Sequence, residues 1–369
     1  MEGEVLLKLS ILIYSLGNGG AERIVSILLK ELSYKYEIEL ILMNDTIFYE
    51  IPKNVKIIFL EKSNPKEKGF SKLLKLPILG WKYKKLIKNS DVSVSFMNRP
   101  NYINIFAKLF GSKIKTIISE RAMPSLQHKS ILQGKINKLL IKILYKKADV
   151  VIANSKGNSF DLIKNFNIKS VRTIYNPINI INCNKTNNNK FIFVTIGRLD
   201  KGKNHKLLIK AFNELDINAE LWIIGDGYLK DELQQIANDN VKFLGTQKDV
   251  YQFLAKANCF VFSSNYEGFP NVLLEALNCK LPIISTDCKS GPREILAPDT
   301  DFKTQTQNVE IVEYGILTKV GDIECMKKAM MLIYENEELR YNFEIKAKNR
   351  LEEFRVENII NKWEKIINE

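Results

Sequence analysis

The chain has 369 residues, which is more than one hydrophobic core usually spans, so its length predicts two domains. Hydrophobic residues make up 45% and charged residues 26% of the sequence, which is typical of soluble globular proteins and argues against a disordered chain. The net charge of +13 is uneven: residues 1–175 contain 30 Lys and Arg and 14 Asp and Glu, a net +16, whereas residues 176–369 carry −3. We expect the first half to face an anionic surface or polymer. The abundance of Lys, Asn and Ile would also follow from genomic base composition alone.

The five cysteines form no CxxC pair and leave an odd number, mostly in apolar or turn-like surroundings. This pattern predicts a reduced, cytoplasmic protein with structural cysteines, namely Cys183, Cys259, Cys279, Cys288 and Cys325. The first apolar run, VLLKLSILIY, alternates like a strand and is too short to span a bilayer. Neither a signal peptide nor a membrane-spanning helix is therefore expected.

Apolar runs alternate with helical patterns along the whole chain. Strands are predicted at residues 5–14, 38–43, 55–60, 92–96, 115–119, 150–153, 191–196, 220–224, 241–244, 259–262 and 282–285. Helices are predicted between them, for example at residues 21–32, 129–147, 205–215 and 229–238. This alternation indicates α/β domains with parallel sheets that are covered on both faces.

A segment rich in asparagine separates two such halves at residues 173–190. Asn176 and Pro177 interrupt regular structure, and the Asn-rich run at residues 182–189 is typical of an exposed loop. A new strand, FIFVTIG, begins directly after it. We therefore predict that the first domain ends at residue 175.

The stretch EGFPNVLLE, at residues 267–275, combines a turn with the start of a helix. It follows the apolar run CFVF, turns through a glycine and a proline, and begins a helix at Asn271. Backbone N–H groups at a helix start lack helical partners and the helix dipole attracts negative charge, so this is a candidate anion site. Glu267 on the turn and Glu275 on the first helical turn would accept hydrogen bonds from sugar hydroxyls. A turn cap and an ordinary acidic helix start are the alternative interpretation.

Glycine-containing turns follow strands at corresponding points of the two halves. In the first, Gly19 and Gly20 open a helix, which suits contact with phosphate or sugar, and a plain tight turn is the alternative. In the second, Arg198 and Lys203 stand at the carboxyl end of a strand, where two cations would neutralise a diphosphate leaving group. Solvated surface cations are the alternative there. A third turn, GDG at residues 225–227, is interpreted as structural.

Several other chemistries are not expected. The P-loop pattern does not occur, two histidines are too few for H-E-x-x-H, and no Cys/His spacing suits zinc. The D-x-D triplet of Asp299 and Asp301 lacks a preceding strand, so we interpret it as a solvated loop. Neither a metal site nor a cofactor is predicted.

Two stretches of the first half are basic and amphipathic. Residues 72–88 contain Trp81 and Tyr83 among six lysines, and residues 129–150 place apolar residues such as Leu139 at helical spacing. Packing on a core explains much of both stretches, but lysines and interfacial aromatics also suit a helix that lies on anionic lipid. Because no nucleic-acid-binding motif occurs, the predicted partner is an anionic membrane surface and not a nucleic acid.

Together these motifs resemble the retaining nucleotide-sugar glycosyltransferases of family 4, which have the GT-B fold. EGFPNVLLE matches the family's two glutamates separated by seven residues, and GRLDKGKNHKLLIKAF matches its basic segment. LGNGGAER matches the glycine turn of the first domain, and GDGYLKDEL matches a further motif. The resemblance extends from Leu16 to the C-terminal helix. EGFPNVLLEAL and TDCKSGPREIL look like bacterial enzymes that build lipid-linked oligosaccharides, capsule or lipopolysaccharide.

The resemblance implies an α/β fold with two Rossmann-like, doubly wound domains that face a cleft. The acceptor-binding, membrane-facing domain would be residues 1–175 and the donor-binding domain residues 176–352, with a helix at 353–369 that returns to the first domain. The enzyme would transfer a hexose or N-acetylhexosamine from a UDP-sugar to a polyprenyl-diphosphate-linked saccharide or a similar surface-glycan acceptor. It would retain anomeric configuration, need no metal or other cofactor, and be cytoplasmic and peripheral on the inner face of the plasma membrane.

Carried over position by position, the resemblance assigns Glu267, Arg198 and Lys203 to catalysis. Glu275 would accept hydrogen bonds from the donor's ribose and Glu267 from the transferred sugar. The other donor-binding positions lie at the helix start and at the first glycine turn, namely Gly268, Phe269, Pro270, Asn271, Val272, Leu273, Gly19 and Gly20.

Two positions depart from the family's pattern. Many members have glycine after the second cation, where this chain has Asn204, so the local turn geometry is open. Related enzymes often have histidine at the position of Arg121. Arg121 would instead hold an acceptor phosphate, with Glu120 beside it.

Two other functions fit the same fold. A UDP-sugar epimerase would carry its catalytic acids and histidines in a different pattern, and only two histidines are available. A non-catalytic sugar-nucleotide binder would be expected to have lost one of the four charged motif residues, yet all four are present.

Overall fold

The structure, a computed structural model, describes residues 6–62, 69–127, 132–186 and 188–369. The chain forms two compact units. Unit 1 consists of the residues up to Pro177 together with Val356–Glu369, and unit 2 is Ile178–Arg355. The sequence predicts the boundary after residue 175 and the returning segment from residue 353, and the structure has them after Pro177 and at Val356.

Unit 1 contains a seven-stranded sheet with the order β3-β2-β1-β4-β5-β6-β7, in which every neighbouring pair is parallel. Its strands are β1 (Lys8–Ile13), β2 (Glu37–Leu42), β3 (Lys56–Phe59), β4 (Val92–Phe96), β5 (Lys115–Glu120), β6 (Val150–Ala153) and β7 (Arg172–Thr173). Its first helices are α1 (Gly20–Leu32), α2 (Gly69–Leu74), α3 (Leu76–Leu86), α4 (Asn98–Leu109), α5 (Pro124–Gln127), α6 (Leu132–Leu144) and α7 (Lys156–Phe166), and a 3-10 turn follows α6 at Tyr145–Lys147. Strand β4 is buried along its whole length, as expected of a parallel strand covered on both faces.

Unit 2 repeats this pattern with the order β10-β9-β8-β11-β12-β14-β13, in which only the β13–β14 pair is antiparallel. Its strands are β8 (Phe191–Ile196), β9 (Ala219–Ile224), β10 (Val241–Gly245), β11 (Cys259–Phe262), β12 (Ile283–Thr286), β13 (Glu310–Val312) and β14 (Gly315–Thr318). Its helices are α8 (His205–Asn213), α9 (Lys230–Ile236), α10 (Tyr251–Leu254), α11 (Asn271–Asn278), α12 (Pro292–Leu296), α13 (Ile323–Glu335) and α14 (Glu337–Leu351). The strand order reverses between β8 and β11, and α/β sheets bind ligands outside the carboxyl ends of strands at such a switch point.

The last helix, α15 (Val356–Asn368), belongs to unit 1. It buries a stripe of apolar residues, among them Ile359 and Trp363. The Trp363 ring lies 5.6 Å from the ring of Phe96 at the end of β4. The hydroxyl of Tyr36 donates a hydrogen bond to Asn368 Oδ1 at 2.9 Å. The C-terminal segment is thus part of the unit 1 core.

The predicted alternation of strands and helices is confirmed, and two α/β units are present. Most predicted boundaries agree within two residues, although the predicted starts at Val5 and Lys129 lie outside the described residues. Three short strands of two to four residues, β7, β13 and β14, were not predicted. The basic stretch at residues 72–88 forms parts of two helices, α2 and α3, and not one. Within the described parts of the chain, no helix combines the length and apolarity that crossing a bilayer requires.

The prediction that all five cysteines are reduced is wrong for two of them. Cys183 and Cys279 form a disulfide with a Cα–Cα distance of 5.1 Å across 96 residues of sequence. The partners are far apart in sequence, so no spacing motif could have indicated the pair. Cys279 ends α11, and the bond therefore ties the segment after the unit boundary to that helix. The other three cysteines are free and buried.

We expect the Cys183→Ser variant to be less stable than the oxidised protein by about 2–4 kcal/mol, because a cross-link over a long loop restricts the unfolded chain. Urea denaturation of the full-length protein, monitored by intrinsic fluorescence, would measure this difference. Reduced wild-type protein should match the reduced variant, since both lack the bond. A variant as stable as oxidised wild type would contradict the expectation.

Candidate active site

Two loops of unit 2 meet where β8 and β11 end side by side as paired strands. The loop after β8 carries Lys203, and the loop after β11 carries Glu267. Lys203 Nζ lies 2.6 Å from Glu267 Oε1, and the side chains are only 27% and 12% exposed. The structure thus brings together, as an ion pair, two residues to which the sequence assigns catalytic roles.

Asp200, which the sequence analysis missed, shapes the loop after β8. Its Oδ1 accepts hydrogen bonds from the backbone N–H groups of Gly202 at 2.8 Å and Lys203 at 3.1 Å. Burial raises the pKa of Asp200, but hydrogen bonds from Arg198 and from this backbone outweigh that effect, so the pKa lies below its usual value. An aspartate two residues before a glycine is a common turn signal, which could have identified this role from the sequence.

Arg198 lies at the same turn but points to solvent. Its side chain is 78% exposed, and its Nε lies 2.6 Å from Asp200 Oδ2. Unlike Lys203, it has no described contact with Glu267. An exposed guanidinium on a fixed turn remains able to reorient toward an anion.

Asn204 occupies the position at which many relatives have glycine. Its backbone has φ 50° and ψ 43°, the left-handed conformation that glycine adopts readily and asparagine tolerates. Its Nδ2 donates to Asn265 Oδ1 at 3.2 Å, and the N–H of Asn265 donates to Gly202 O at 2.8 Å. The departure therefore keeps a left-handed turn and also joins the two loops.

Helix α11 begins at Asn271 as predicted, with Pro270 as its N-cap residue and no side-chain cap hydrogen bond. Leu273 and Leu274 are fully buried and anchor the helix. The Phe269 ring packs 5.6 Å from the ring of Phe354. The start of α11 is thus held by packing on its inner side, while no side chain caps its N-terminus.

Glu275 is the fifth residue of α11, so the prediction that it lies on the first turn is wrong by one turn. It is 4% exposed and stands one helical turn after Asn271, on the same side of the helix. Buried carboxylates are uncommon unless they are paired. Its burial shows that Glu275 is not a solvated helix-start residue.

A third loop, between β12 and α12, supports the turn at Gly268 and was not recognised from the sequence. Ser290 Oγ donates to the carbonyl of Gly268 at 2.5 Å. Gly291 has φ 98°, and a Cβ there would lie 2.3 Å from Pro270 Cδ, so a larger residue would displace the turn. The loop is fixed in turn by Arg293, which donates to Asp287 Oδ2 from Nε at 3.0 Å and from Nη2 at 2.6 Å.

The glycines of the GDG turn are required by close packing. A Cβ at Gly225 would lie 2.0 Å from the carbonyl oxygen of Gly197, and a Cβ at Gly227 would lie 2.4 Å from that of Leu199. The GDG turn therefore supports the loop that carries Lys203. This confirms the structural interpretation of the turn.

His205 lies directly behind Lys203 and is 2% exposed. Burial, and then the charge of Lys203, lower its pKa to about 4. The imidazole is therefore neutral near pH 7. The positive charge of this loop comes from its lysine and arginine residues.

In unit 1, Gly19 caps α1 and Gly20 begins it. Glu22 folds back on this turn: a Cβ at Gly19 would lie 2.2 Å from Glu22 Oε2. Burial raises the pKa of Glu22, while a hydrogen bond from its own backbone lowers it. A carboxylate at the helix start disfavours phosphate there and suits a sugar hydroxyl better.

Glu120 and Arg121 lie at the carboxyl end of β5. Glu120 is 1% exposed, and its Oε1 accepts from the backbone N–H groups of Arg121 at 2.9 Å and Ala122 at 3.3 Å. Its Oε2 accepts from the Tyr145 hydroxyl at 2.7 Å. Both oxygens are thus occupied within unit 1, which does not favour the predicted contact of Glu120 with an acceptor.

In the described ranges, no three His, Cys, Asp or Glu side chains are grouped so that they could hold a metal ion. The D-x-D pair, Asp299 and Asp301, lies in an exposed loop, as predicted.

Comparison with known families places this geometry in a class of enzymes. The family described as "Glycosyl transferases group 1" matches residues 178–350, and "Glycosyltransferase Family 4" matches residues 18–181. The protein belongs to glycosyltransferase family 4 and has the two-unit α/β fold of the GT-B class.

Two relatives come from Campylobacter jejuni. One is named N-acetylgalactosamine-N,N'-diacetylbacillosaminyl-diphospho-undecaprenol 4-alpha-N-acetylgalactosaminyltransferase; it is 43% identical, over 94% of this chain and 95% of its own. The other is named as an alpha-1,4-N-acetyl-D-galactosaminyltransferase that acts on a PP-undecaprenol-linked saccharide; it is 28% identical, over 99% of each chain. A solved Anabaena protein in complex with UDP and glucose has a TM-score of 0.78 at 21% identity, over 98% of this chain and 99% of that one.

Proposed function

We propose that this glycosyltransferase moves a hexose or N-acetylhexosamine from a UDP-sugar to a saccharide that is linked through diphosphate to a polyprenol. The reaction proceeds with retention of anomeric configuration and without a metal. The observation that carries the donor assignment is the pair of Lys203 and Glu267, 2.6 Å apart beside the start of α11. The relative with 43% identity, whose name contains diphospho-undecaprenol, supports the acceptor class.

In this proposal the donor diphosphate binds at Lys203 and at the uncapped start of α11. The phosphate draws the Lys203 ammonium away from Glu267, which frees the carboxylate to accept hydrogen bonds from hydroxyls of the transferred sugar. Arg198 turns from Asp200 toward the phosphate. Glu275 accepts from the ribose, and the backbone from Gly268 to Leu273 completes the donor site.

The bond that breaks joins the anomeric carbon to the β-phosphate oxygen, and the electron pair leaves with UDP. Lys203, Arg198 and the dipole of α11 stabilise the negative charge that develops on the diphosphate, which is electrostatic catalysis in a largely buried site. The acceptor hydroxyl attacks the anomeric carbon on the face from which UDP leaves and passes its proton to the departing β-phosphate oxygen. Configuration is therefore retained without a protein nucleophile. These cations supply the charge for which other transferases use a metal ion.

The acceptor binds to unit 1, whose residues 1–175 carry +16. Positive charge of this size attracts a diphosphate-linked lipid and the surface in which it lies. Gly19 and Gly20 remain donor-binding positions in this proposal, and the Glu22 carboxylate that lies against Gly19 accepts hydrogen bonds from sugar hydroxyls there.

A basic and apolar face of unit 1 suits a membrane surface. Leu74 at the end of α2 and Ile78 and Trp81 on α3 are 65%, 61% and 51% exposed. Lys85 Nζ lies 3.5 Å from the centre of the Trp81 ring, and Tyr83 is buried on the opposite side of α3. An apolar stripe flanked by lysines matches the interface of anionic lipids. We place the enzyme peripherally on the inner face of the plasma membrane.

Helix α6 also exposes apolar side chains: Leu139 and Ile143 are 56% and 52% exposed. Only Gly134, Ile141 and Leu144 are buried on that helix among its described residues.

We expect the triple variant Lys75→Glu, Lys82→Glu, Lys85→Glu to bind anionic vesicles at least about 100-fold more weakly, since each surface lysine contributes about 1 kcal/mol. Co-sedimentation with vesicles of phosphatidylglycerol in phosphatidylcholine measures this. A control variant makes the same charge change at exposed lysines of unit 2, namely Lys210, Lys242 and Lys256. Equal loss in both variants, or none in the first, would refute the membrane face.

A donor panel tests the assigned nucleotide. We expect saturable binding and slow hydrolysis with one or more UDP-sugars, and neither with the matching GDP-sugars. Binding of GDP-sugars alone would overturn the donor assignment. Binding of UDP-sugars with interconversion of their sugars, and no transfer, would favour the epimerase alternative.

A further inference from the structure

Arg121 lies at the carboxyl edge of the unit 1 sheet and, within the described part of the chain, its side chain donates no hydrogen bond to a carboxylate. Its guanidinium donates to two neutral groups, Ser119 Oγ at 3.3 Å and Asn176 Oδ1. Within the described part of the chain, its buried Nε has no hydrogen-bond partner. Burial lowers the pKa of Arg121 to about 10, so it stays charged near neutral pH. A charge of this kind is costly unless an anion completes its surroundings.

The neighbouring carboxylate, Glu120, interacts with this guanidinium through its charge, but its described hydrogen bonds go to other groups. Glu120 directs Oε1 to the backbone N–H groups of Arg121 and Ala122, and so closes the turn that follows β5. Its Oε2 accepts from the Tyr145 hydroxyl at 2.7 Å. Glu120 therefore shapes the backbone that carries Arg121.

The network continues into two further elements. Asn101 Nδ2 on α4 donates to the Tyr145 hydroxyl at 3.0 Å and to the Ser119 carbonyl at 3.0 Å. Ser95 Oγ on β4 donates to Asn101 Oδ1 at 2.8 Å. All of these side chains are buried. A fully connected buried network specifies one geometry for the groups that it holds.

We propose that Arg121 is the phosphoryl-binding residue of the acceptor site, and that Glu120 and Tyr145 are positioning residues that hold its turn. The inference rests on the proposed function, because that function supplies a diphosphate-linked acceptor. Arg121 donates to the phosphoryl group from the edge of the guanidinium that includes Nε, which has no hydrogen-bond partner within the described part of the chain. Glu120 touches no substrate.

This arrangement makes acceptor binding depend on pH. Burial raises the pKa of Glu120 to about 7 against the opposing hydrogen bonds from Tyr145 and from the backbone. Among the described residues, the other charged or titratable groups that interact with it are Arg121 and Tyr102 on α4. Tyr102 and Tyr145 stay neutral because burial raises their pKa values. Protonation places a hydrogen on a carboxyl group of Glu120 toward which three hydrogen-bond donors already point. The turn that follows β5 therefore loosens as the pH falls through about 7, the pKa of Glu120 in the folded protein.

Steady-state kinetics of Glu120→Gln test the proposal. We expect the acceptor KM to rise about tenfold at pH 8, because the variant loses one hydrogen bond to a charged group. The donor KM should change by less than about twofold. In the wild-type enzyme, kcat/KM for the acceptor should fall below about pH 7. The Glu120→Gln variant should show no such fall in its pH profile, because it lacks the titrating carboxyl group. Equal changes in both KM values, or a wild-type limb that persists in the variant, would overturn the positioning role.

Tyr145→Phe should raise acceptor KM in the same direction. Tyr83→Phe is its matched control: Tyr83 is a fully buried tyrosine of the same unit whose hydroxyl bonds Ser93 Oγ at 2.8 Å, away from Glu120. We expect the control to keep wild-type KM values even if it is less stable. Equal acceptor KM effects in both variants would show general loosening of unit 1 and contradict the proposal.

A binding measurement separates this inference from the proposed function. Inorganic diphosphate is titrated calorimetrically into protein saturated with UDP, so that the donor site is filled. We expect binding to wild type, none to Arg121→Ala, and weaker binding to Glu120→Gln. If these results hold while no acceptor is glycosylated, the proposed function fails and the anion site stands. If wild type and Arg121→Ala bind diphosphate equally, the anion site fails whatever the activity.

Discussion

Lys203→Ala should lower kcat for sugar transfer by about 100- to 1000-fold, the effect of removing one preorganised group that stabilises charge in a transition state. Lys203 is held in place by the Asp200 turn and faces Glu267 at 2.6 Å in a largely buried position. Glu267→Gln should cost a similar factor, because the amide keeps the shape but loses the charged acceptor for sugar hydroxyls. Initial rates with radiolabelled donor measure both.

The matched control is Lys206→Ala. Lys206 pairs with Glu232 at 2.9 Å, but both side chains are 50% exposed, and such surface pairs contribute little. We expect wild-type kcat from this variant. Circular dichroism and thermal unfolding should show that all three variants are folded. Near-normal transfer by folded Lys203→Ala would remove Lys203 from the site.

Arg293→Met should lower the free energy of unfolding by about 3–5 kcal/mol, because it leaves a buried carboxylate without its partner. Arg293 is 5% and Asp287 is 1% exposed, and the guanidinium also donates to Glu310 Oε2 at 2.6 Å. Activity should fall as well, since this loop holds Ser290 against the carbonyl of Gly268. Chemical denaturation measures the stability change.

The pH dependence of this loss has a definite sign. Burial raises the pKa of Asp287 above its usual value, although Arg293 opposes this effect. Without Arg293, the pKa of Asp287 in the folded protein rises further. At a pH between the usual aspartate pKa and this raised pKa, Asp287 is protonated in the folded variant and ionised in the unfolded chain. The loss of unfolding free energy in Arg293→Met, relative to wild type, should therefore become smaller as the pH falls from the raised pKa of Asp287 toward the usual aspartate pKa. Adding Asp287→Asn should restore more than half of the loss. A deficit independent of pH and unchanged in the double variant would contradict this account.

Much of the fold could be predicted from the sequence, because buried parallel strands are continuous apolar runs. Strands β4, β6, β8 and β11 begin and end where the runs do. The edge strand β13 has only three residues, and its neighbour β14, GILT, contains only two large apolar residues, so neither forms an apolar run that stands out in the sequence. The disulfide was not predicted either, because contact between Cys183 and Cys279 depends on the packing of α11 and not on local spacing.

The candidate site was predicted where chemistry depends on local sequence. Lys203, Glu267 and the start of α11 stand in recognisable strand–turn–helix patterns. The supporting residues were missed because their roles come from tertiary contacts: Ser290 reaches a carbonyl 22 residues away, and Tyr145 reaches a carboxylate 25 residues away. Glu120 was taken for a contact residue because its burial cannot be read from the sequence.

Retaining transfer from a UDP-sugar to a diphosphate-linked lipid saccharide can be tested directly. Purified enzyme would be incubated with UDP-N-acetyl[14C]hexosamine and an undecaprenyl-diphosphate-linked disaccharide, and the extracted lipid product would be analysed by NMR for its new anomeric proton. We predict label in the lipid fraction and an α linkage formed from the α-linked donor. A β linkage, or label that stays in the aqueous phase with every UDP-sugar while a GDP-sugar is transferred, would contradict the account.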